Sequence, residues 1–150
     1  ISDVIILMKY CILIVDDERD ICDFLSDFLR KEGHDVSTIS DPTKALDDIK
    51  HNAYHLIILD IMMPKLSGID LLSQIRTFDE EVSVVILTGY PSVETASDAI
   101  SYGVSAYLKK PFSIDELRSL LFKIAQKKGL LLEIQRLNPQ AVGPPYPVVD

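Results

Sequence analysis

Cysteine occurs twice in 150 residues, as Cys11 and Cys22, and the pair forms neither a CxxC motif nor a zinc-ligand spacing. Both read as reduced, packed thiols, which places the chain in a reducing, cytoplasmic compartment. No apolar run approaches the roughly 18 residues of a membrane span. The opening residues lack the basic flank and small-residue cleavage site of a signal peptide. Basic residues are also scarce. Fifteen Lys and Arg against 23 Asp and Glu leave a net charge of -8, which excludes a surface built to neutralise nucleic-acid phosphates. That balance suits a protein that holds cations or basic partners. No GxxxxGK[ST] loop is present, so a phosphate donor would have to come from outside the chain. There is no internal repeat.

An ordinary apolar fraction of 47% supports one globular domain, with room for a tail. Residues 1–8 read as an N-terminal extension or cloning-derived sequence, with Met8-Lys9 a natural start for the domain. Residues 9–128 read as the domain. Residues 129–138, with Leu130-Leu131-Leu132, read as a helical linker stub after an interruption at Lys127-Lys128-Gly129. Half of the eight prolines fall between Pro139 and Pro147, so residues 139–150 read as a disordered tail or cloning remnant.

Within the domain, strand and helix patterns alternate five times. Cys11–Val15, Leu56–Asp60 and Val82–Leu87 are continuous apolar runs, the signature of strands buried on both faces. His34–Ile39 and Ser105–Lys109 are weaker strands. The first helix carries Ile21, Phe24, Leu25, Phe28 and Leu29 at three- and four-residue steps, and Gly33 stops it. Asp41-Pro42 starts a second helix whose inner face is Ala45, Leu46 and Ile49. Gly68 opens a third, with Ile69, Leu72 and Ile75 inward. Val93, Ala96 and Ile100 mark the inner face of a fourth, ended by Gly103. Ser113 and Glu116 form a capping box for a fifth, with Leu117, Leu120, Leu121 and Ile124 inward. The pattern predicts an α/β, flavodoxin-like (βα)5 three-layer sandwich around a parallel five-stranded sheet in the order 2-1-3-4-5.

In a parallel sheet the carboxyl ends of all strands share one edge. That edge gathers Asp16 and Asp17, Asp60, Thr88 and Lys110. Three carboxylates repel one another there, each pair by roughly 4 kcal/mol at about 4 Å and an effective dielectric near 20. An all-oxygen site of that charge calls for a hard divalent cation, and beside phosphate chemistry that cation is Mg²⁺. Asp is an established covalent nucleophile toward phosphorus, and an ammonium with a cation neutralises the transferring oxygens.

Asp16-Asp17, Asp60 with Pro64 and Gly68, Thr88-Gly89, and Tyr107 before Lys110-Pro111-Phe112 resemble the receiver domain of two-component response regulators. The resemblance covers about residues 9–127. Leu87-Thr88-Gly89-Tyr90 through Ala96 most resembles receivers of the nitrogen-regulatory, enhancer-binding type. It implies that Asp60 accepts a phosphoryl group from a sensor histidine kinase, a phosphotransfer protein or a small donor such as acetyl phosphate. It further implies that Asp17, Asp60 and the Met62 backbone carbonyl ligate Mg²⁺, with Asp16 acting through water. Thr88 and Lys110 would contact the phosphoryl group, and Tyr107 would change rotamer as the switch. Such a domain catalyses only its own phosphorylation and slow dephosphorylation. Its output would pass through the fourth helix, fifth strand and fifth helix, to an output domain or a second copy. This segment would bind neither nucleic acid nor membrane. Ala106 replaces the Asp that the winged-helix subfamily uses in its dimer salt bridges.

Two other readings compete. A haloacid-dehalogenase-like phosphohydrolase also uses a strand-end Asp, Mg²⁺ and Lys, but carries an acid where Met62 stands. A pseudo-receiver that only docks would not need the full set of acids, Thr88 and Lys110. Blander roles fit other residues: Lys109 a solvated strand residue, Met62 and Met63 loop packing, and Asp20, Asp23 and Asp27 a solvent face. His51 and His55 have i,i+4 spacing, but His55 opens a strand, which argues against a zinc pair.

Overall fold

The computed structural model describes residues 9–128. The extension at 1–8, the linker at 129–138 and the tail at 139–150 lie outside the described residues. Strands β1 (Cys11–Val15), β2 (Asp35–Ile39), β3 (Leu56–Asp60), β4 (Ser83–Thr88) and β5 (Ala106–Lys109) alternate with helices α1 (Arg19–Lys31), α2 (Ala45–His51), α3 (Gly68–Phe78), α4 (Val93–Ser101) and α5 (Ile114–Lys127). The sheet order is β2-β1-β3-β4-β5, as the alternation predicts, and every pairing is parallel.

Side chains alternate across the pleat, and the two faces of the sheet build two cores. Ile12, Ile14, Ile58, Val85 and Leu87 pack with Cys22, Leu25 and Leu29 of α1 and with Leu117, Leu121 and Ala125 of α5. Leu13, Val15, Ile57, Leu59, Val84 and Ile86 pack with α2, α3 and Ala99 of α4. The three inner strands are apolar except at their ends, at Asp60, Ser83 and Thr88, because both of their faces are covered. No described helix is long and apolar enough to cross a membrane.

Local signals set the boundaries. Ser67 accepts from the Ile69 N–H at the start of α3, Ser92 accepts from the Thr95 N–H at the start of α4, and Ser113 with Glu116 completes the capping box of α5. Gly33 ends α1 at a φ of 99°, where a side chain would be strained. Asp41 accepts from the Thr43 N–H, but the turn it caps is a short 3₁₀ segment, Pro42–Lys44, and α2 begins only at Ala45.

Two predicted helix faces need correction. Phe24 is half exposed, tilted against Phe112 at 6.5 Å, and Cys22 takes the buried place. In α4 the buried residue is Ala99, while Val93 and Ile100 are 89% and 72% exposed. A nine-residue helix spans too few turns for its apolar residues to fix a face. The small Ala99 side chain permits close approach to the sheet, and the larger residues are left outside.

His34 carries a pH dependence. It is buried, accepts the Tyr10 N–H on Nδ1 at 3.1 Å, and lies parallel to the Tyr10 ring at 4.9 Å. Burial lowers its pKa from 6.5 to about 4. The unfolded chain thus binds the proton more readily, so stability held above pH 6.5 is lost as pH falls toward 4. Between about pH 7 and pH 5 this one group should cost about 2 kcal/mol. Urea unfolding at the two pH values should show that loss, and His34→Asn should remove most of it. An unchanged difference in the variant would assign the effect elsewhere.

Candidate functional site

The registers Val15↔Leu59, Asp60↔Leu87 and Thr88↔Lys109 bring the strand ends level. Asp16 and Asp60, immediately after β1 and at the end of β3, are 1% and 3% exposed, and Thr88 at the end of β4 is wholly buried. Asp17 is half-buried beside them. Asp16, Asp17 and Asp60 each present a ligand atom within 4.8 Å of the other two. Two carboxylates buried this deeply need compensating charge.

Lys110 supplies part of it. Its Nζ lies 2.8 Å from Asp16 Oδ2, 3.0 Å from Glu18 Oε1 and 3.3 Å from Asp60 Oδ2. The Lys110 N–H donates to the Thr88 carbonyl at 2.7 Å, and the bond from Lys110 to Pro111 is cis. Lys109, one residue earlier, is exposed. Of the two lysines, it is Lys110, adjoining the proline, that reaches the acids.

The other oxygens are held from the backbone. Asp16 Oδ1 accepts the Glu18 N–H at 2.9 Å, and Asp60 Oδ1 accepts the Met62 N–H at 3.0 Å. Burial raises the Asp16 pKa, against the pull of Lys110 and the Glu18 N–H, and the charge of Asp60 adds to the rise. For Lys110, burial disfavours the charge, but hydrogen bonds to Asp16 and Glu18, with the charges of Asp16 and Asp60, outweigh it and raise the pKa. Asp16, Asp17, Asp60 and Glu18 around one ammonium leave the pocket net negative. A hard divalent cation fits this oxygen donor set, and the triad can hold one.

Gly68 lets the start of α3 approach this edge. A Cβ there would overlap the Asp60 carbonyl and the Ile61 Cα, and the Gly68 N–H donates to the Ile61 carbonyl at 3.2 Å. Thr88 is at the edge but turned to local use, its Oγ1 accepting the Tyr90 N–H at 3.0 Å. Tyr107 lies away from the acids and shares a 2.8 Å hydrogen bond with Thr95 of α4. Sequence reasoning left out Glu18 and Thr95. Glu18 stands third in an acidic run, and Thr95 stands three residues after the Ser92 cap. An apolar cavity of about 320 Å³ lies at the opposite edge, walled by Tyr10, Leu56, Val82 and Ser83 near the strand starts, and takes no part in this chemistry.

Residues 12–122 match the response regulator receiver domain family. The chain is a response regulator receiver domain. This receiver is 36% identical over 110 residues to the transcriptional regulatory protein ZraR of Klebsiella oxytoca, a match that covers 73% of this chain and 25% of that protein. Its fold matches NtrX from Brucella abortus at a TM-score of 0.75 and 35% identity, over 91% of this chain and 31% of NtrX. A CheY-like receiver domain protein from Methanospirillum hungatei JF-1 matches at a TM-score of 0.73 and 30% identity, over 87% of this chain and all of that one. The receiver spans about a quarter of the length of the curated regulators matched first. The family and the acidic pocket are consistent with phosphoacceptor switching, and a receiver domain implies a partner sensor kinase.

Proposed function

We propose that Asp60 is the phosphoacceptor of this receiver, with Mg²⁺ as the cation. The observation that carries the reading is the buried Asp60 carboxylate, within one pocket of Asp16 and Asp17 and 3.3 Å from the Lys110 ammonium. One Asp60 carboxylate oxygen forms the new P–O bond. The donor's P–N bond breaks if it is a phosphohistidine, or its P–O bond if it is an acyl phosphate, and the leaving group departs with the bonding pair. Asp16, Asp17, Asp60 and the Met62 carbonyl would hold Mg²⁺, which supplies charge neutralisation to the transferring oxygens. Lys110 supports the phosphoryl oxygens from the other side, and Thr88 exchanges its local bond to Tyr90 for one to the phosphoryl group. A solvent-open cleft of about 460 Å³ is lined by Asp17 and Asp41 and by Arg19, Lys44 and Lys65, and its small excess of positive charge favours approach of an anionic donor.

The switch runs from Thr88 through α4 to Tyr107. Movement of Thr88 shifts the α4 start, and the bond between Thr95 and Tyr107 makes the tyrosine report that shift. Exposed Tyr90, Val93 and Ile100 offer an apolar output surface on the α4 side of the α4, β5 and α5 face. Ala106 supplies no carboxylate for the winged-helix type of dimer. Free Cys11 and Cys22 fit a reducing cytoplasm.

Incubation with acetyl phosphate and Mg²⁺ should add one phosphoryl group per chain, on Asp60, seen by intact mass and peptide mapping. Repeated turnover of phosphate esters would overturn the reading. Met62 and Tyr90, at the two positions that flank the phosphoryl group, are 52% and 74% exposed. Neither side chain is suited to orient an attacking water. The phosphorylated form should persist for minutes or longer in Mg²⁺, and loss within seconds would reverse this expectation.

A further inference from the structure

We infer that Glu18 is a positioning residue that detains the Lys110 ammonium in the unphosphorylated state and so sets how readily the phosphorylated state forms. The inference rests on Asp60 as the acceptor. An ammonium has three N–H donors and no more. In this structure all three have carboxylate partners, and the contact to Asp60, at 3.3 Å, is the longest, against 3.0 Å to Glu18 and 2.8 Å to Asp16. A phosphoryl group on Asp60 brings new anionic oxygens to Nζ, so one existing contact has to be released.

The three partners are not equivalent. Asp16 and Asp60 are buried members of the metal-binding triad, whereas the Glu18 side chain is 59% exposed and outside it. Glu18 can return to water at little cost; Asp16 cannot. The Asp60 contact passes to the phosphoryl oxygens, because the esterified carboxylate loses its charge. Glu18, the exposed partner, is the one that still draws Nζ away from them, so its strength opposes phosphorylation.

The start of α1 points the same way. Glu18 is the N-cap of this helix yet makes no side-chain cap bond, although Ser, Thr, Asp and Asn are the residues that cap well. Its carboxylate crosses instead to Lys110, 92 residues along the chain. Local helix stability is forgone for a contact at the acidic pocket, a pattern expected where a residue serves a site.

The test is the affinity for beryllofluoride, a phosphoryl mimic, at saturating Mg²⁺, measured by calorimetry on the whole chain for wild type, Glu18→Ala and Glu18→Asp. Alanine removes both charge and contact. Aspartate keeps the charge but is one methylene too short for the contact. Both variants should bind beryllofluoride about two- to five-fold more tightly, the range for a partly exposed ion pair. If only Glu18→Ala binds more tightly, Glu18 acts by plain charge repulsion and the inference falls. It falls equally if neither variant gains. Failure of the wild type to bind beryllofluoride would instead sink the assignment of Asp60.

Discussion

Replacing Asp60 by Asn is expected to reduce phosphoryl uptake from acetyl phosphate to background, a loss of roughly a thousand-fold or more, equivalent to about 4 kcal/mol of barrier. An amide oxygen is a poor nucleophile, and no other described carboxylate has the same setting. Asp16, the other buried carboxylate, is held more tightly by Lys110, at 2.8 Å against 3.3 Å for Asp60. The variant should nonetheless fold. The new side-chain amide keeps an oxygen for the Met62 N–H, and Lys110 keeps Asp16 and Glu18. The like charge that adds to the rise of the Asp16 pKa is removed, so stability in metal-free buffer should match or exceed wild type. Stabilisation by added Mg²⁺ should shrink, because the triad loses a ligand charge. Intact-mass labelling and urea unfolding with and without Mg²⁺ measure both effects. Label retained at wild-type stoichiometry would show that another residue is the acceptor.

Gly68→Ala should be the most damaging small substitution at the junction of the β3 loop with α3, where Gly68 is the first helical residue. The added Cβ would overlap backbone atoms, the Asp60 carbonyl and the Ile61 Cα, and no flexible side chain is there to yield. Relief requires α3 to draw back from the strand end, at a cost of about 3 kcal/mol. For a domain of this size that corresponds to a fall in Tm of about 10 °C. The same displacement would shift Asp60 against Lys110, so phosphorylation should slow even at temperatures where the variant stays folded. Gly89→Ala provides the control, since a Cβ there meets nothing within 4 Å, and its stability should stay within about 0.5 kcal/mol of wild type. Thermal unfolding of the two variants side by side decides the matter. A Gly68→Ala protein as stable as Gly89→Ala would refute the steric account.

The strands were legible because burial on both faces leaves little freedom in composition. Leu56–Asp60 carries its boundaries in its apolar run, the run Val82–Leu87 places β4 to within one residue at each end, and the capping box at Ser113 and Glu116 set the start of α5. Helix faces were less legible where helices are short or lie at the domain surface. Phe24 sits at the margin of the α1 interface, where its ring finds Phe112 from an element far along the chain. In α4, Ala99 rather than Val93 or Ile100 faces the sheet, and hydrophobicity alone ranks those residues in the wrong order.

The candidate site divides in the same way. Asp16, Asp17, Asp60, Thr88 and Lys110 could be placed together from sequence, because parallel strands with right-handed crossovers must align their carboxyl ends. That rule fixes which residues share an edge, not how their polar atoms pair. Lys110 divides its protons among Asp16, Glu18 and Asp60, Thr88 is engaged with Tyr90, and Tyr107 is joined to Thr95. These pairings depend on polar atoms coming within about 3 Å of one another, most of them on residues far apart in the chain. The order of strands and the chemistry at their ends are properties of the sequence pattern. The partner that detains the lysine and the face that α4 leaves open were decided only by tertiary packing, because both depend on side chains meeting across elements that local periodicity cannot relate.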